Sequence, residues 1–116
     1  MSVTKELEQI VKIVNSNRIE LAFSKIKKLK DENKNNIDVI YTFGQIALKA
    51  NYIEEAIESF EKILENETED EKLLSTLSKL YIRKNNTDKA LVYINKILSK
   101  IPYDESANKD KAYILY

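Results

Sequence analysis

The side chains that could do chemistry in this chain are its charged ones, and they are evenly matched: 19 Lys and Arg against 19 Asp and Glu among 116 residues. Cys and His are both absent, which excludes disulfides, thiolate and imidazole metal ligands, and catalysis built on Cys–His or Ser–His pairs. Zero net charge gives no field to concentrate nucleic acid or anionic lipid, whose recognition begins with an excess of Lys and Arg. The charges nevertheless cluster. Arg18, Lys25, Lys27, Lys28, Lys30 and Lys34 crowd one stretch, and Glu54, Glu55, Glu58, Glu61, Glu65, Glu67, Glu69, Asp70 and Glu71 crowd another. The first would suit a phosphate, the second a cation or a basic partner. Paired carboxylates could also do glycoside-type acid–base work, given a cleft and a raised pKa. The elements that carry these residues decide between such roles.

Those elements are helices. One Gly and one Pro in the whole chain, against average usage of roughly 7% and 5%, leave an all-β fold without its turns. The breaks fall at Asn-rich points instead: residues 15–17, 33–36, 50–51 and 85–86. Asn tolerates left-handed backbone and caps helices, so these points serve as helix–helix turns. The opening "MSVTKELEQIVKIV" carries Glu6 and Glu8 inside its apolar stretch and lacks a small-residue cleavage site, unlike a signal peptide. No run approaches the roughly 18 apolar residues of a spanning helix. The expected compartment is the cytoplasm, without membrane insertion. The length is one domain's worth, with a modest core.

The chain also repeats itself. Asn17, Asn51 and Asn85 stand 34 residues apart, as do Ala22, Ala56 and Ala90, then Ile26, Phe60 and Ile94, then Leu29, Ile63 and Ile97. A helical period of this length marks an array in which stacked units share a core that no single unit could bury. The alanines predict a close crossing of antiparallel helices, where a longer side chain would hold the backbones apart. The large apolar residue four positions on shares their face. Helices are expected at about 3–15, 19–32, 37–50, 53–66, 71–84, 87–100 and 105–116. Asp104 and Thr87 are candidate N-caps, and Pro102 ends the sixth helix.

In these columns the sequence resembles the tetratricopeptide repeats. Residues 37–70 supply Ile40, Phe43, Gly44, Ala47, Ala56, Phe60, Ile63 and Thr68 at that family's pattern positions, and residues 71–104 supply Leu74, Leu77, Ser78, Tyr81, Ala90, Ile94, Ile97 and Pro102. Residues 3–36 match in their second helix through Ala22, Ile26 and Leu29. In their first helix Glu6, Gln9 and Ile10 stand at pattern positions, as suits an end unit whose outer face meets water. The resemblance implies an all-α, right-handed α-α superhelix (solenoid) of three helix pairs plus a C-terminal helix, in one domain over residues 1–116. With second helices side by side on the outside, the basic and acidic clusters become solvated, mutually attractive faces. No enzyme, metal or cofactor is expected.

The resemblance further implies that first helices line a concave groove. The positions that look into it are Leu7, Val11 and Val14; Asp38, Tyr41, Gln45, Leu48 and Lys49; Lys72, Ser75, Lys79, Ile82 and Arg83; and Lys109, Tyr113 and Tyr116. A fitting ligand would be a peptide with apolar anchors and acidic residues, so a protein–protein interaction module, scaffold or adaptor is expected. Leu7, Val11, Leu48 and Ile82 could instead only pack between helices. A chaperone-tail clamp would require Lys, Asn, Asn, Lys and Arg where the chain has Leu7, Val11, Thr42, Lys72 and Thr76; one position agrees, so that partner is not expected. The alternative is a structural role. Ala112 to Tyr116 are too apolar to be covered by one neighbouring pair, so this end would meet further repeats or another copy, giving a homo-oligomer.

Overall fold

The computed structural model describes residues 2–66 and 70–116, which form seven α-helices and no strand. Glu67, Thr68 and Glu69, assigned above to an acidic cluster and a pattern position, lie outside the described residues. The chain divides into two compact units, Met1–Glu65 and Asn66–Tyr116. The first holds α1 (Val3–Asn15), α2 (Ile19–Glu32), α3 (Ile37–Lys49) and α4 (Ile53–Leu64); the second holds α5 (Glu71–Arg83), α6 (Thr87–Lys100) and α7 (Glu105–Leu115). In unit 1 each helix packs on the next and α1 also touches α3; in unit 2 the same scheme recurs, with α5 touching both α6 and α7. Every helix starts where the spacing predicts, and the ends of four come one or two residues early.

The turns within each helix pair have one cause. Among the described residues, Asn17, Asn51 and Asn85 are the non-glycine residues with positive φ, at 63°, 66° and 60°. At each, the Asn N–H donates three residues back and the next N–H five back: Asn17 to Val14 and Arg18 to Ile13, Asn51 to Leu48 and Tyr52 to Ala47, Asn85 to Ile82 and Asn86 to Tyr81. This is the Schellman arrangement, and it satisfies carbonyls that would end the helix unpaired. Asn is the side chain after Gly that best tolerates this backbone. The expected cap at Thr87 is corrected: Thr87 is the first residue of α6, and Asn86 Oδ1 accepts from the Lys89 N–H at 3.2 Å. Asn86 can serve because it closes α5 and opens α6 at once. Asp104 caps α7 as expected, accepting from Ala107 N–H at 2.9 Å. Ser2, Asn36 and Asp70 cap α1, α3 and α5.

The columns of the repeat are the core. Ala22, Ala56 and Ala90 are fully buried, as are Ile26, Phe60 and Ile94, with Leu29, Ile63 and Ile97 close behind. Each large apolar side chain buried in this way contributes about 1.5–3 kcal/mol. On the partner helices Ile40, Phe43 and Ala47 in unit 1, and Leu74, Leu77 and Tyr81 in unit 2, are buried too. Gly44 shows how close the approach is, since a Cβ there would lie 2.6 Å from Phe60 Cε1. Ser78 takes the corresponding place in unit 2, with its hydroxyl donated to the Ser75 carbonyl at 2.8 Å.

The first helix departs from this scheme for a visible reason. Of α1 only Ile10 is buried. Glu6 and Gln9 stand where Ile40 and Phe43 stand in the next pair, and they leave a hollow of about 300 Å³ between α1 and α2, floored by Ile10, Ile13 and Leu29. Across the second helices, Lys62 donates to the Lys34 carbonyl at 2.9 Å and Tyr52 donates to Glu20 at 3.2 Å. These bonds tie the segment after α2 to α4 and the N-cap of α4 to α2. Among the described residues no helix is long and apolar enough to cross a membrane.

Candidate functional site

The residues expected to face a ligand fall into two sets of different chemistry, one in each unit. In unit 1, Leu7 and Val11 sit one turn apart on α1, half-buried and 45% exposed respectively. With Thr4, Glu8, Lys12 and, from α3, Asp38, they bound a hollow of about 450 Å³. The hollow is shallow and wide open to solvent, with room for an anchoring side chain to lie against it. On α3, Gln45 Nε2 donates to the Tyr41 hydroxyl at 3.0 Å, a bond between neighbours one turn apart. That bond holds both polar tips at the surface while the Tyr41 ring leans toward Phe60, 6.1 Å between centroids. Leu48 is half-buried and Lys49 exposed at the end of the same helix. Val14, expected in this set, is half-buried and does not line the hollow.

In unit 2 the set is charged. Lys72, Lys79 and Arg83 are exposed along α5, with Ser75 and Ile82 half-buried between them. The Ser75 carbonyl is occupied by Ser78, as described. Lys109 and Tyr113 are exposed on α7, Tyr113 at 74%, and Lys109 pairs with Glu105 one turn earlier at 3.2 Å. Lys79 reaches across to α7: its Nζ lies 2.8 Å from Asp110 Oδ2 and 2.9 Å from Ser106 Oγ.

The sequence reading named Lys79 and missed Asp110 and Ser106 as its partners. The signal was present, because the 34-residue register puts Asp110 and Ser106 on the first turns of the helix that packs against α5. Side-chain reach, which the register does not encode, decides that they meet. The end of α7 is as apolar and as open as its sequence suggests, with Leu115 exposed and Tyr116 fully so.

Helix pairs at a constant period, with small residues at each crossing, define a helical repeat protein. A sequence profile of the tetratricopeptide repeat family matches residues 47–109, and the chain belongs to that family. Among solved structures, a tetratricopeptide repeat protein from Parabacteroides merdae superposes with a TM-score of 0.81 at 16% identity, over 94% of this chain and 43% of its own. Two mutant forms of MamA superpose with TM-scores of 0.70 and 0.69 at 21% and 20% identity, over 82% and 93% of this chain and 52% and 72% of theirs. This chain therefore spans about half the length, or less, of the first two. No curated protein matches it in sequence. At such identities the likeness is one of fold. Repeats of this family mediate protein–protein interaction, and theirs is an interaction-module fold.

Proposed function

We propose that this chain binds a peptide segment of a partner protein on the faces carried by its first helices, acting as an adaptor or scaffold. The observation that carries the reading is the hollow beside Leu7 and Val11. Leu7 is half-buried and Val11 exposed on α1, so both keep apolar surface open to solvent, which suits an apolar anchor residue. Tyr41 and Gln45 add a rigid ring and an amide for backbone or side-chain contact. Lys72, Lys79 and Arg83 give the unit 2 face a basic character, so the segment sought carries apolar anchors and acidic residues. The proposed location is the cytoplasm, with no nucleic acid, cofactor or metal in the activity.

Selection of a random peptide library on the immobilised chain tests this. Peptides recovered should carry spaced apolar residues and lose binding to Leu7→Asp/Val11→Asp, while the far-UV spectrum and melting curve of that variant stay near those of the native chain. The Lys79→Glu/Arg83→Glu variant should weaken acidic members of the pool selectively. Recovered peptides indifferent to both variants would place binding elsewhere and end the reading. A second reading, self-association through α7, is favoured by the exposure of Tyr113, Leu115 and Tyr116. Light scattering that shows mass rising with concentration in the native chain, but not in Tyr113→Ser/Leu115→Ser, would support it.

A further inference from the structure

We propose that Asp110 is a positioning residue that tempers the charge preference of the unit 2 face: by holding Lys79, it weakens the attraction of that basic face for carboxylates and leaves its affinity for neutral polar segments unchanged. The inference rests on the peptide-binding reading and narrows the ligand chemistry given there. An ammonium has three N–H donors, and two of those of Lys79 are spent on α7, on Asp110 at 2.8 Å and on Ser106 at 2.9 Å. The third remains for a ligand. A hydroxyl or amide oxygen can take it while both existing bonds stand. A ligand carboxylate that takes it must sit within a few ångströms of the Asp110 carboxylate, and the two like charges repel.

The pair is not explained by its worth to the fold. The Lys79 and Asp110 side chains are 50% and 24% exposed, and ion pairs so open to water contribute little to stability. α7 treats its own cation in the same way, since Glu105 lies 3.2 Å from Lys109. Two of the cations that register assigns to ligand contact are therefore matched by carboxylates of the terminal helix.

The test uses the full chain, isotopically labelled, titrated by NMR with a short peptide of repeating Glu-Ser and with its Gln-Ser counterpart. Replacing Asp110 by Asn keeps the size and removes the charge. D110N should tighten binding of the Glu-Ser peptide about three- to tenfold at low salt. The shifted amides should centre on Lys79, and affinity for the Gln-Ser peptide should stay unchanged. Adding K79Q to D110N should abolish the gain. S106A, which removes a neutral partner, should leave the native preference in place. Asp110→Ser repeats the comparison with a smaller side chain, so that a disturbed α7 in one variant does not decide the matter. An unchanged acid-to-amide affinity ratio, an equal gain for both peptides, or a gain that survives K79Q would each overturn the proposal. These titrations read the charge preference alone, so they stand or fall separately from recovery of apolar-anchored peptides in the library selection.

Discussion

Substituting Gly44 by Ala sets two effects of known sign against each other. Gly44 lies inside α3, where replacing Gly by Ala favours the helix by about 0.8–1 kcal/mol. Against this, the new methyl would lie 2.6 Å from Cε1, 2.9 Å from Cζ and 3.1 Å from Cδ1 of Phe60. Ordinary carbon contacts begin near 3.5 Å, so one edge of the ring must retreat by roughly an ångström. Phe60 is fully buried and rigid, and such overpacking costs about 1–3 kcal/mol. The net expectation is a loss of up to about 2 kcal/mol in the native background. In a Phe60→Leu background the ring atoms are gone and only the helix gain remains, so the same Gly44→Ala change should stabilise by about 1 kcal/mol. Urea unfolding followed by far-UV circular dichroism measures all four proteins, and a coupling of about 1–3 kcal/mol is expected from the cycle. Equal m-values across the set are required, because helical arrays can unfold in parts. A Gly44→Ala protein more stable than native by the full helix gain, or a coupling under about 0.5 kcal/mol, would refute the claim that the missing Cβ is what brings α3 onto α4. Tyr41 leans on the same ring, so a displaced Phe60 should also shift the Tyr41 and Gln45 signals in NMR spectra.

The remaining expectations concern turns, the end helix and ionisation. Asn85→Ala should cost about 1–2 kcal/mol, because alanine has no local bond to offset its left-handed φ, whereas Asn85→Gly should be nearly neutral; equal melting points for the two would contradict the turn assignment. Gln9→Phe restores the bulky residue of the later pairs and should fill part of the hollow between α1 and α2, adding about 1 kcal/mol; no rise in the urea midpoint would mean that the hollow is closed in solution. The Tyr52 phenol is held above its ordinary pKa, chiefly by the charge of Glu20 and then by the hydrogen bond to it, with a smaller effect of Glu55. A raised folded-state pKa means that this contribution is complete below the ordinary phenol range and is lost as pH climbs through the raised value. Ultraviolet titration should therefore show the Tyr52 phenol ionising earlier in Glu20→Gln than in the native chain; identical curves would remove the Tyr52–Glu20 link.

The fold was legible in the sequence to an unusual depth because the same physical requirement is met at equal intervals. Only a methyl fits at Ala22, Ala56 and Ala90, and only Gly or Asn sits easily at the left-handed residue that closes each pair. Each constraint therefore writes its own column. Helix starts were equally readable: Ser2, Asn36, Asp70, Asn86 and Asp104 carry capping oxygens, and α2 and α4, which have no side-chain cap, begin two residues after the left-handed Asn17 and Asn51. Thr87 misled because two residues there can cap, and the tighter turn selects the one that also closes α5. The poor first helix was visible in Glu6 and Gln9, but the hollow they leave is a property of volume, which a residue pattern does not state.

The candidate site was less legible for a reason that follows from the same design. Positions on the open faces of the first helices are free of the packing rules that fix the core, so register says where Lys79 or Tyr41 stands and nothing about what each touches. Two side chains on successive first helices pair only if their lengths and charges match, as those of Lys79 and Asp110 do. Specificity in such an array is therefore written in pairs across helices, and a single-column reading counts Lys79 as an open cation when α7 has already engaged it. The same reasoning explains why the hollow beside Leu7 and Val11 carries the functional proposal more firmly than the row of cations. Apolar surface that stays exposed on a helix face has no internal partner to satisfy it, whereas an exposed charge is solvated whether or not a ligand comes.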